Sequence, residues 1–178
     1  MAHELTITEE PGYLHFRVRG ENTPQTVRAY LQEVRAACFE RGCSAILVEE
    51  DRILFAGDAF MPLPYLVDGN IDDMMASIKK IGRMGLENIV QGHGDIILRG
   101  EIDAAVKENL AYLSAIRKAV RAALKRKAPL EYLEEVGIEE CGKSRVYLGG
   151  LAEALHRRNL RALYKHMLEN SDSLEGDD

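Results

Sequence analysis

The chain reads as an α/β protein: a mixed five-stranded sheet with packed helices and a helical C-terminal extension. Three observations predict this. Short apolar runs and helical patterns follow one another in the order β-β-α-β-β-α-β-α. From Glu101 onward the apolar spacing changes to the helical period and stays there. Finally, 178 residues, 46% apolar and 29% charged, are enough for one buried core and too apolar for disorder.

Glu4–Thr8 and Tyr13–Arg19 each alternate apolar and polar residues, with Pro11-Gly12 between them, which predicts a hairpin with one wet face. Thr23 is placed to cap a helix that has Pro24 at its first position. Val27, Tyr30, Leu31, Val34 and Cys38 form the stripe that this helix buries, and Gly42 stops it. Ser44–Val48 is a short apolar strand, Glu49–Asp51 a tight acidic turn, and Arg52–Ala56 the returning strand. Met61-Pro-Leu-Pro-Tyr65 must be loop, because two prolines remove donors and fix the backbone. It offers an apolar wall beside the end of the preceding strand.

Asn70 opens a second helix with Ile71, Met74, Met75, Ile78 and Ile81 on one face. Asp68, Asp72 and Asp73 lack the spacing of a calcium loop and suit the first turn of a helix. Gly82 and Gly85 loosen its end, and Asn88–Gln91 is the next strand. Ile102, Val106, Leu110, Leu113, Ile116, Val120 and Leu124 then hold one helical stripe for six turns. Pro129–Val136 is a short helix closed by Gly137, and Leu148–Leu168 is a last amphipathic helix. The expected division is 1–50, 51–100 in the same sheet, a helical part at 101–170 and a frayed acidic tail at 171–178.

The net charge of −6 argues against sequence-independent nucleic-acid binding, which needs a basic footprint. The basic stretches Arg117–Lys127 and Arg157–Lys165 fall on helical patterns and read as solvated faces, with His156 and His166 on the surface among the arginines. No run approaches the about 18 apolar residues of a membrane span, and Met1-Ala-His-Glu-Leu has no secretion-signal character. Cys38, Cys43 and Cys141 lack paired spacing and read as reduced thiols of a cytoplasmic protein.

Two stretches carry chemistry. Arg52-Ile-Leu-Phe-Ala-Gly-Asp58 and Val90-Gln-Gly-His-Gly94 are apolar runs that each end on a metal-capable side chain beside glycine. Neighbouring strands would bring Asp58 and His93 to one sheet edge as half of a metal or acid/base site. The plainer reading of Asp58 is a turn or helix-cap residue. Glycine on both sides of His93 is wasteful unless something approaches closely. Gly-His-Gly-Asp is no phosphate loop, since no Gly-Lys-Ser/Thr follows, and no serine sits in a Gly-x-Ser-x-Gly elbow.

With these motifs, residues from about 45 to 125, extending toward 170, resemble the C-terminal half of a metallo-β-lactamase-fold metallohydrolase. The Ile-Leu-Phe-Ala-Gly-Asp strand matches that family's bridging-aspartate motif, and the Gly-His-Gly turn its last histidine motif. The resemblance implies that Asp58 bridges two metal ions and His93 binds one, with a metal-bound water attacking an ester, amide, thioester or phosphoester. The family's His-x-His-x-Asp-His cluster and its further lone histidine are absent: the five histidines are His3, His15, His93, His156 and His166. Residues from about 3 to 50 resemble instead the opening β-β-α-β of a STAS-like domain, without its Asp-x-Ser-Gly motif. Together these imply a vestigial or chimeric, non-catalytic protein with a weak zinc site or none. The alternative is a zinc-dependent hydrolase of esters, thioesters or related bonds whose site is completed by another chain. A homo-oligomer is the expected partner state, with a small-molecule substrate of unknown class and neither nucleic acid nor membrane.

Overall fold

Strand alternation at the start of the chain produces the hairpin it predicts. β1 (Glu4–Glu10) and β2 (Tyr13–Arg19) pair antiparallel from Glu4↔Arg19 to Glu10↔Tyr13. The computed structural model describes residues 4–10, 13–20, 23–42, 46–48, 52–67, 69–126 and 129–175. The expected Pro11-Gly12 turn, the acidic turn Glu49–Asp51, His3, Cys43, Ser44, Asp68, the side chain of Val27 and residues 176–178 lie outside the described residues.

The first helix, α1 (Pro24–Arg41), has the expected boundaries. The Thr23 hydroxyl accepts from the Thr26 amide at 3.2 Å, and Gly42 ends the helix at φ 60°. Its buried stripe is Tyr30, Val34 and Ala37, with Cys38 half-buried. Leu31, expected inside, is 40% exposed, because it sits one residue round from that stripe.

The class is α/β, but among the described residues the sheet has six strands rather than five, in the order β1-β2-β3-β4-β5-β6. β3 (Ile46–Val48) runs parallel to β2, and β4 (Ile53–Gly57) antiparallel to β3. β5 (Asn88–Gln91) is parallel to β4. The strand that sequence patterning misses is β6 (Ile97–Leu98), antiparallel to β5. Two residues are too few to show a period.

The register places the two cores on opposite faces of the sheet. Leu14 aligns through Ile46 with Phe55, so Leu54, the next residue, points to the other side. Leu14, Phe16 and Val18 pack with Tyr30, Val34 and Ala37 of α1. Leu54, Ala56, Ile89 and Ile97 pack instead with α2 (Ile71–Ile81) and α3 (Ile102–Ala123). Asn70 caps α2 by accepting from the Asp72 and Asp73 amides at 2.7 and 3.3 Å. Arg117 of α3 reaches Asp72 at 2.5 Å, tying the two helices.

α4 (Pro129–Glu135) and two 3-10 turns, Glu139–Cys141 and Tyr147–Gly150, lead to α5 (Ala152–Glu175). The last helix begins later than its apolar pattern suggests, because Leu148 and Gly149 hold left-handed φ angles of 57° and 63°. It continues past Leu168 to Glu175. Among the described residues no helix is long and apolar enough to cross a membrane.

Candidate functional site

Parallel pairing of β4 and β5 delivers Asp58 and His93 to the same edge, just beyond the strand ends. Their separation is 3.6 Å from His93 Nε2 to Asp58 Oδ1, and the side chains are 64% and 65% exposed respectively. That is too long for a direct hydrogen bond. The register shifts between Phe55 and Gly57, so two residues of β4 oppose one of β5. Gly57 takes φ 49° at this bulge. Bulges re-aim the side chains that follow them, and here the residue that follows is Asp58.

The glycines around His93 have a packing explanation. Gly92 donates to the Gly57 carbonyl at 2.9 Å. A Cβ on Gly92 would lie 2.6 Å from the Gly57 carbonyl carbon and 2.7 Å from Asp58 Oδ1. Gly94, at φ 113°, faces Pro62, whose Cγ would be 2.6 Å from an added Cβ. What approaches closely is therefore the chain itself. Gln91 closes the turn by donating from Nε2 to the Asp95 carbonyl at 2.7 Å.

As metal donors, the two side chains fit as a pair. Two ligands of a tetrahedral zinc, each at about 2.0–2.2 Å from the ion, stand somewhat over 3 Å apart. The donor set stops there: no group of three or more His, Cys, Asp or Glu side chains that could hold a metal ion occurs among the described residues. A catalytic zinc uses three protein ligands and an open position.

The other histidines lie elsewhere. His15 is half-buried on β2, and His166 is half-buried on α5. His156, expected on the surface, is completely buried. Its Nδ1 pairs with the Tyr112 hydroxyl at 3.1 Å and its Nε2 with the Val136 carbonyl at 3.1 Å. Burial pushes its imidazole below the ordinary histidine value, while the bond to Val136 acts in the opposite direction. Asn159, also fully buried, donates to the Pro64 carbonyl at 2.7 Å and to the Tyr112 oxygen at 3.1 Å, and accepts from the Leu66 amide at 2.9 Å.

A second buried polar group fixes the other side of the same loop. Asn109 donates to the Met61 carbonyl at 3.1 Å and accepts from Lys143 Nζ at 2.7 Å. Lys143 also lies 3.0 Å from Glu108 Oε1. Its burial lowers the ammonium pKa, with Glu108 opposing. The loop expected to wall the strand end is thus pinned at Met61, Pro64 and Leu66. Apolar spacing alone passes over Asn109, Lys143, His156 and Asn159. A helical signal for three of them exists, since Asn109 lies seven residues beyond Ile102, and Ala152, His156, Asn159, Leu160 and Leu163 share a face.

Comparison with protein-family models gives no match for this chain, and comparison with curated proteins gives none either.

Proposed function

We propose that the chain descends from a metallo-β-lactamase-fold hydrolase joined to a STAS-like opening, and that by itself it does not hydrolyse substrate. Asp58 and His93 then bind a divalent cation such as zinc weakly at most. The observation that carries this reading is the 3.6 Å pair at the ends of β4 and β5, with no third His, Cys, Asp or Glu donor grouped with it among the described residues. A cation held by two exposed protein donors keeps most of its coordination in water and is easily lost. The two cores on opposite sheet faces support the joined ancestry, since α1 closes one core with β2 and the later helices close the other.

A second reading rests on exposure. With 64% and 65% of their side chains open, His93 and Asp58 are accessible to donors from a second copy of the chain, which would complete a zinc-dependent hydrolase of esters or thioesters. Hydrolysis of p-nitrophenyl acetate and of a simple thioester, measured with added zinc over a range of protein concentrations, separates the two. The first reading expects no turnover above that of Asp58→Ala and His93→Ala. Turnover that grows faster than protein concentration, and is lost in both variants, would replace it with the second.

A further inference from the structure

A cavity of about 620 Å³ opens beside the candidate metal pair, and neither Asp58 nor His93 lines it. That volume suits one small organic molecule. Phe60, Met61 and Ile97, all buried, give it an apolar wall. Among the described residues its charged lining is Asp95, Glu101 and Glu108 against the cation Lys143. Lys143 is 4% exposed overall, so its ammonium depends on the groups around it for hydrogen bonds.

An ammonium carries three N–H donors. Two are directed at Asn109 Oδ1 and Glu108 Oε1, at 2.7 and 3.0 Å. Among the described residues the third meets no nitrogen or oxygen acceptor, and the Tyr147 ring centroid lies 5.8 Å from Nζ. We propose that this cavity binds an uncharged, apolar molecule bearing a carbonyl group, whose oxygen accepts the remaining N–H of Lys143. An anion is disfavoured, because Glu108 already neutralises Lys143 and two further carboxylates line the walls. A pure hydrocarbon is disfavoured as well, because it would cover a buried donor without pairing it. An ester, ketone, amide or thioester meets both conditions.

The inference goes beyond the metal reading and does not depend on it, so binding is measured with a chelator present. The probe is prodan, a neutral naphthyl ketone whose emission shifts to the blue on leaving water, titrated into the full chain. One saturable site per chain is expected. Ala104→Trp, on an exposed position of α3 that lines the cavity, should abolish it while leaving circular dichroism unchanged. Lys143→Met should weaken it about tenfold or more, as expected for losing a hydrogen bond from a charged donor. N-phenyl-1-naphthylamine, a neutral dye without a carbonyl, should bind wild-type protein at least about tenfold more weakly for the same reason, which decides the question even if Lys143→Met fails to fold. Absence of saturable binding, or binding untouched by Ala104→Trp, would overturn the site. Equal affinity for the two dyes would overturn the role given to Lys143.

Discussion

Gly92 and Gly57 touch backbone to backbone: the Gly92 amide donates to the Gly57 carbonyl at 2.9 Å, and a Cβ at Gly92 would fall 2.6 Å from the carbonyl carbon. This contact is what sets His93 beside Asp58. Gly92→Ala should therefore destabilise the protein by about 1–3 kcal/mol, the usual cost of forcing an extra methyl into a packed contact. Gly100→Ala, where an added Cβ meets nothing within 4 Å, should change stability by less than about 0.5 kcal/mol. Urea unfolding midpoints of the two variants give the comparison.

Asn159 holds the 60–67 loop from below through Pro64 and Leu66. Asn159→Ala leaves a buried amide and a buried carbonyl without their partner, which should cost about 2–4 kcal/mol. Hydrogen exchange at the Leu66 amide should accelerate well beyond the change at core strand amides such as Ile89. Equal acceleration at both positions would mean that the bond stabilises the whole fold rather than the loop.

His156 gives stability a pH dependence of known sign. The unfolded imidazole takes up its proton near pH 6.5, while burial lowers the folded value. Over the window between the two values the unfolded chain binds more protons. The contribution of His156 is therefore complete above about pH 6.5 and is lost as pH falls below it. Urea midpoints between about pH 7 and pH 5 should fall more steeply in wild-type protein than in His156→Gln.

Cys141 is buried, and burial, with Glu140 adding to it, pushes its thiol up to about 11. Cys38 is only half-buried. Iodoacetamide at mildly alkaline pH should label Cys38 well before Cys141 in native protein, and both alike in urea. Peptide mass mapping over time reads this directly, and equal native rates would contradict the packing around Cys141.

Much of this arrangement is legible in the sequence because it is locally encoded. Thr23-Pro24 and Asn70 mark helix starts by their capping chemistry, and the two apolar runs ending at Asp58 and Gln91 mark adjacent strands. The missing pieces depend on distant partners. β6 exists because β5 offers it an edge. His156 sits among arginines in sequence, yet Tyr112 and the Val136 carbonyl draw it inside. The bulge that aims Asp58 depends on register with β5, which no single strand reveals. Glycine flanking His93 goes with a close approach, and Gly57 and Pro62 are groups that approach there.

Zinc content measured after dialysis of the protein against a zinc-containing buffer, then against zinc-free buffer, tests the proposed two-donor site at Asp58 and His93 most directly. Two exposed donors should release the metal, leaving substoichiometric zinc in wild-type protein and no difference from Asp58→Ala or His93→Ala. Retention of one or two zinc ions per chain, lost in either variant, would contradict a two-donor site and show that further ligands complete it.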